Sequence, residues 1–166
     1  MTTTLFTNAH IATGEPGSTA ASTLPLQDIL VTDGVFTAFG PGLAQQYEAQ
    51  GGDLAAIEVV DLGGKLVCPP FCDTHLHLDY VFTARKPGAV NESGTLFEGI
   101  QRWSETKSDL TVDEIKQRAK IGIKKEMLHG VQLIRSHADV TDPNLTSLKA
   151  LLELKEELKD TVTLQI

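Results

Sequence analysis

Two histidines one residue apart, His75 and His77 in the stretch "CDTHLHLD", are the residues of this sequence best suited to do chemistry. Neutral imidazole is a common metal ligand, and two of them in one short segment can grip a single ion. If the preceding strand runs on through them, their i and i+2 spacing points both rings to one face, with Cβ atoms about 7 Å apart. Rings so placed converge on an ion at about 2.0–2.1 Å from each nitrogen. Spacing alone leaves a second reading open, that two surface or core histidines simply fall close together. Cys68 and Cys72 extend the pattern to Cys-x₃-Cys-x₂-His-x-His, which would suit a structural zinc in a non-catalytic binding module. Against that stands the Pro69-Pro70 bend, and strand alternation puts positions 72 and 75 on opposite sides. The simpler role for both thiols is as small buried hydrophobes.

Other candidates rank behind this pair. Asp79 follows His77 by two residues and can orient a ligand histidine from behind, or be an exposed loop acid. His137 and Asp139, in "RSHADV", share a strand face, and serve either to line a pocket and support a metal site or to pack in a core. His10 and His129 read as surface histidines. Glu98 and Arg102 read as a helical i,i+4 ion pair worth a few tenths of a kcal/mol.

The elements that must position these residues change character near Gly63-Gly64. Before that point, short apolar runs alternate with turn residues: "TLFTNAHIAT", "DILVTDGVFTAFG" and "IEVVDLGG", with Asp33-Gly34 as a hairpin signal. Residues 1–64 are therefore expected to form a small antiparallel β domain, with "GEPGSTAASTLP" as an exposed loop. From residue 65 onward, strand and helix patterns alternate, which is the mark of a parallel sheet built from βα units. "KLVCPPF" reads as a short buried strand leading into the histidines, its two prolines marking a bend. "TLFEGIQRWSETK" places Leu96, Ile100 and Trp103 at helical spacing. "TVDEIKQRAKIGIKKEMLHG" opens with Thr111 and Glu114 as a capping box and closes with Gly130 beyond its C-cap. "VQLIRSHADV" follows as a strand, "DPNLTSLKALLELKEELKD" as a helix with a Leu145, Leu148, Leu152 stripe, and "TVTLQI" as the start of a third strand. These are the expected first three βα units, residues 65–166, of an α/β fold that three strands leave open at one edge.

Composition excludes several classes. With 22 acidic against 14 basic residues, the net charge of −8 repels phosphate backbones and anionic lipid, so nucleic acid and membrane surfaces are unexpected partners. No run reaches the roughly 18 apolar residues that span a bilayer, and "MTTTLFTNAHIATG" lacks the features of a secretory leader. Two cysteines make no disulfide framework. A cytoplasmic location is the expectation.

With these pieces in place, "GGKLVCPPFCDTHLHLD" resembles the first barrel strand of the amidohydrolase superfamily, a glycine and an apolar strand followed by proline and His-x-His. "NESGTLFEGIQRW", "TVDEIKQRAKIGIKKEMLHGVQLIRSHADV" and "LTSLKALLELKEELKDTVTLQI" are similar to the corresponding stretches of its bacterial cytosine-deaminase-like members. The resemblance covers most of residues 63–166. It implies a (β/α)₈ barrel preceded by a small β-sandwich unit, a single Fe²⁺ or Zn²⁺ bound by His75 and His77, and a metal-activated water that attacks a cyclic amidine such as cytosine, releasing ammonia. It further implies that Gln165 meets the amide edge of the ring and that the backbone at Leu96 contacts the base. Without the resemblance, Gln165 would read as an inert polar terminus. A homo-oligomer and a nucleobase-like small molecule are the implied partners. A third histidine, a His-x-x-Glu acid/base segment and a late aspartate, all from strands beyond the third, are also implied, and those strands are not among these 166 residues. The acid/base residues are therefore expected beyond residue 166, and the isolated chain is expected to be inactive. A related aminohydrolase of triazines or other N-heterocycles is the alternative substrate reading. The zinc deaminases of nucleic-acid bases do not fit, since neither His-x-Glu nor Pro-Cys-x-x-Cys is present.

Overall fold

A computed structural model describes residues 2–12, 25–85 and 88–166. The chain folds as two compact units, Met1–Pro69 and Pro70–Ile166. The division thus falls inside the Pro69-Pro70 pair rather than at residue 64.

In the first unit β1 (Thr3–Ile11) is central. It pairs antiparallel with β2 (Leu26–Thr32), and β2 pairs antiparallel with β3 (Val35–Gly40). Asp33 and Gly34 have φ of 49° and 78° between these two strands. Two successive positive values are what a type I′ hairpin turn requires, as the Asp-Gly signal indicated. A helix, α1 (Leu43–Ala49), follows. Then β4 (Glu58–Asp61) and β5 (Leu66–Val67) both pair with β1 in parallel. The unit is therefore a mixed five-stranded sheet with a helix, and among the described residues no second sheet makes it a sandwich. Two carboxylate bonds explain how the helix is attached: buried Asp28 accepts from the backbone N–H of Asn8 at 3.1 Å and of Leu43 at 2.9 Å. The "GEPGSTAASTLP" segment lies, save its last residue, outside the described residues.

The buried strand expected over "KLVCPPF" is two strands in two units. Leu66–Val67 completes the first sheet as β5, and β6 (Phe71–Leu76) opens the second. Proline has no N–H to give a ladder, so neither sheet continues through Pro69-Pro70. Nor is β6 buried, since Phe71 is 60% exposed.

In the second unit β6, β7 (Val131–Ser136) and β8 (Thr163–Gln165) form a parallel sheet in that order. Its helices are α2 (Leu96–Lys107), α3 (Val112–Leu128) and α4 (Thr146–Glu157). The capping box of α3 is present, with Glu114 N–H donating to Thr111 Oγ1 at 3.2 Å and Thr111 N–H to Glu114 Oε2 at 3.0 Å. Past the C-cap His129, Gly130 takes φ of 86°, a value costly for any residue with a Cβ. One core results: Ile115, Ala119 and Ile123 of α3 and Ala150, Leu151 and Leu154 of α4 pack with Ile134 of β7 and Leu164 of β8. The stripe expected on α4 is rotated. Leu145 is its N-cap and Leu152 is 50% exposed, because Ser147, Ala150, Leu151 and Leu154 repeat at i, i+3, i+4 and i+7 and make the buried face. The other face of the sheet, including Leu133, Arg135, Thr163 and Gln165, is exposed.

Candidate active site

His75 and His77 stand where β6 ends, and His137 directly follows β7. Carboxyl ends of parallel strands are where α/β folds assemble their sites. The strand does not run regularly through the histidines. Its register with β7 shifts between Asp73 and Leu76, where the Asp73 carboxylate accepts the backbone N–H of His75 at 2.9 Å. That local bond takes the place of a ladder bond and turns the chain. Beyond it the pairing resumes: His137 N–H, one residue past β7, donates to the carbonyl of Leu76, the last residue of β6, at 3.1 Å.

Three imidazoles come together as a result. Ring centroids are 5.2 Å apart for His75 and His77, 4.2 Å for His75 and His137, and 5.2 Å for His77 and His137. His137 thus belongs to the ring cluster itself. It and Asp139 lie in the loop after β7 rather than on a shared strand face.

Asp79 is fully buried, not an exposed loop acid. Its Oδ2 accepts the backbone N–H of Asp139 at 2.8 Å, while Oδ1 lies 3.8 Å from His77 Nδ1, too long for a hydrogen bond. Burial pushes its carboxyl above the usual carboxylate range, opposed by the Asp139 N–H and by His77. Burial likewise holds His77 below the ordinary imidazole value, against the pull of Asp79, with His137 and His75 adding to the fall. Arg118 of α3 ties down the same segment, donating to the carbonyls of Val81 at 2.8 Å and Asp79 at 3.3 Å. Asp139 is a junction: its carboxylate accepts from Trp103 Nε1 at 2.5 Å, Lys107 Nζ at 3.1 Å and the Thr141 N–H at 2.7 Å. These donors hold it well below the usual carboxylate range despite burial.

A cleft of about 830 Å³ opens beside the rings, lined by His75, His77, Tyr80, Leu96, Ile100 and Trp103 among others. Imidazole donors suit a borderline divalent ion such as Zn²⁺ or Fe²⁺, and two buried atoms at this place, His137 Nε2 and Asp79 Oδ1, lack hydrogen-bond partners among the described residues. The residues therefore fit part of a metal site. Among the described residues no three His, Cys, Asp or Glu side chains complete one.

The family model described as the amidohydrolase family matches residues 58–154. The chain belongs to the amidohydrolase family. It is 34% identical over 111 residues to N-isopropylammelide isopropyl amidohydrolase of Pseudomonas sp. strain ADP, covering 64% of this chain and 28% of that protein. It is 26% identical over 142 residues to pterin deaminase of Rhizobium rhizogenes, covering 83% of this chain and 30% of that one. The structure of 5-methylcytosine deaminase from Klebsiella pneumoniae liganded with 5-fluorocytosine superposes with a TM-score of 0.77 at 38% identity, over 98% of this chain and 35% of that chain. The chain thus spans about a third of the length of these relatives.

The remaining candidates of this amidohydrolase chain are placed unevenly. Leu96 lines the cleft and is 74% exposed. Gln165 does not line it; its Oε1 accepts from Arg135 Nε on the neighbouring strand at 2.9 Å. Cys68 and Cys72 are both exposed free thiols, not buried hydrophobes. Sequence reasoning missed Arg118 and Lys107, because a basic residue on a solvated helix carries no local sign of a partner some 30 residues away.

Proposed function

We propose that this amidohydrolase is a metal-dependent deaminase of a cyclic amidine, cytosine or a close relative, and that these residues carry the first part of its site. The reaction exchanges the exocyclic amino group for oxygen: water adds at the amidine carbon, the C–N bond breaks, the amino group leaves as ammonia with one of the water's protons, and the other proton ends on the ring nitrogen. The observation that carries the reading is the convergence of His75, His77 and His137 at the strand ends beside an apolar cleft. Identity of 38% to a 5-methylcytosine deaminase across nearly the whole chain supports the ring class.

His75 and His77 would hold one divalent ion, Fe²⁺ or Zn²⁺, which when bound supplies a water of lowered pKa. Asp79, buried beside His77 and held by the Asp139 N–H and Arg118, keeps the His77 ring in its orientation. The backbone at Leu96, which lines the cleft, contacts the ring edge, whereas the side chain of Gln165, engaged by Arg135 outside the cleft lining, would reach that edge only by giving up this bond. His137 packs against both metal-binding rings and supports them from beside the cleft. The general acid/base residues lie outside these 166 residues, so the chain alone binds metal weakly and turns over little substrate. The reading includes a cytoplasmic homo-oligomer; no described helix is long and apolar enough to cross a membrane.

A second substrate reading, a triazine or another N-heterocycle, is favoured by the identity to N-isopropylammelide isopropyl amidohydrolase and to pterin deaminase. Ammonia release from cytosine, 5-methylcytosine, a triazine and a pterin by the intact enzyme, before and after chelation, decides between them. Activity on the pyrimidines that is lost on chelation and absent from the His75→Ala, His77→Ala double variant is the expected result. Deamination that survives both would sink the metal reading.

A further inference from the structure

The cleft has an aromatic side that the roles assigned above leave unused. Its rings follow one another outward from the metal-binding pair: His77 lies 5.0 Å from Tyr80 at 36°, and Tyr80 lies 5.2 Å from Trp103 at 44°. All three line the cleft, with Leu96 and Ile100 of the same helix as Trp103 extending the apolar surface. Trp103 is held on two sides. Part of its ring packs against the core, and its N–H donates to Asp139 Oδ2 at 2.5 Å. Asp139 is fixed in turn by Thr141 and Lys107, and its own N–H reaches Asp79, beside His77. An indole whose single donor is engaged has only ring surface left to offer a ligand. Ring surface favours a flat conjugated partner, through stacking and displaced water, over a linear or saturated one.

We infer that Trp103 is a substrate-binding residue, the wall on which the flat face of a planar heterocycle rests, and that Asp139 is the positioning residue that locks this wall at its distance from the histidines. The inference rests on the heterocycle reading above and adds the surface that binds the ring. In the alternative, Trp103 is a core residue whose edge happens to reach the cleft. Shape separates the two: a wall needs a flat ring, whereas a core position needs bulk.

The test uses the intact, metal-loaded enzyme with 5-fluorocytosine as calorimetric probe, a triazine as second probe, and the variants Trp103→Phe, Trp103→Leu and Asp139→Asn. Trp103→Phe keeps a flat face and is expected to bind within about threefold of wild type, whereas Trp103→Leu keeps apolar bulk without the face and loses about tenfold. The same loss should appear in KM while kcat stays within about threefold, and metal affinity measured by chelator competition should not move. Asp139→Asn retains an acceptor for the indole but loses the charge that holds Lys107, and is expected to weaken probe binding by a few-fold. Equal binding by the Phe and Leu variants, or a loss confined to metal affinity or thermal stability, overturns the inference while leaving the heterocycle reading intact. A wild-type enzyme that binds neither probe and deaminates no heterocycle overturns both, and is recognised before any variant is made.

Discussion

Helices α2 and α3 begin in the same way and end up doing different work. Each has a threonine N-cap accepting from the N–H of a glutamate three residues on, Thr95 with Glu98 and Thr111 with Glu114. Beyond the cap they part. α3 buries Ile115, Ala119, Gly122 and Ile123, while α2 buries no residue and leaves Leu96, Phe97 and Ile100 more than half exposed. What holds α2 is polar and specific: Trp103 and Lys107 on Asp139, and Glu98 on the backbone of Glu92 and Ser93. Apolar burial stabilises without regard to exact placement, whereas directional bonds fix placement while adding little net stability. The comparison teaches that α3 supports the sheet and α2 shapes the cleft.

The largest effect should come from the α3 side. Ile123→Ala, at a position 2% exposed, removes core volume and is expected to cost about 2–5 kcal/mol in denaturant unfolding. Loss below 1 kcal/mol would mean the α3 contact is not the main support. Next, Asp139→Ala leaves the Trp103 and Lys107 donors without their acceptor. About 1–3 kcal/mol is expected, felt as faster hydrogen exchange in α2 before any change in α3. Uniform loss of protection across both helices would erase the distinction drawn here.

The caps sharpen it further. Thr111→Ala should cost about 1 kcal/mol of global stability. Thr95→Ala should fray α2 alone, leaving the midpoint of global unfolding nearly in place. The smallest effect concerns pH. Hydrogen bonds from Ser93 and Glu92 hold the Glu98 carboxyl at about 2, below its usual 4.5. Because the folded value is the lower one, this contribution is complete above the unfolded value and disappears as pH falls through about 2. Exchange protection of residues 92–98 should therefore decline between roughly pH 4.5 and 2 in the wild type and stay level in Glu98→Gln. An identical pH profile in both proteins would assign the tether to the hydroxyl contacts instead.

Much of this was legible along the chain because its causes are local. The α3 capping box, the turn at Asp33-Gly34, the glycine after α3 and the alternation of strand with helix each depend on residues within a few positions of one another. So does His75-x-His77, whose closeness in space follows from two covalent steps. The errors share the opposite cause. Nothing in "KLVCPPF" tells Leu66 to pair with His10 of β1, so the point where one sheet ends and the next begins was misplaced. On α4, two leucine stripes competed, and only packing against Ile134 and Leu164 selected the one containing Leu151 and Leu154.

By itself, then, the sequence determined the order and type of most elements, the pair of imidazoles and their place at the end of a parallel strand. Tertiary structure alone decided that His137 joins them across 60 residues, that Asp79 is buried with one oxygen on the Asp139 backbone, and that Arg118, Lys107 and Trp103 reach in from the helices. Side-chain periodicity reports which face of an element is apolar, but which polar groups meet across a fold depends on how separate elements pack, and that has no signature in any short window.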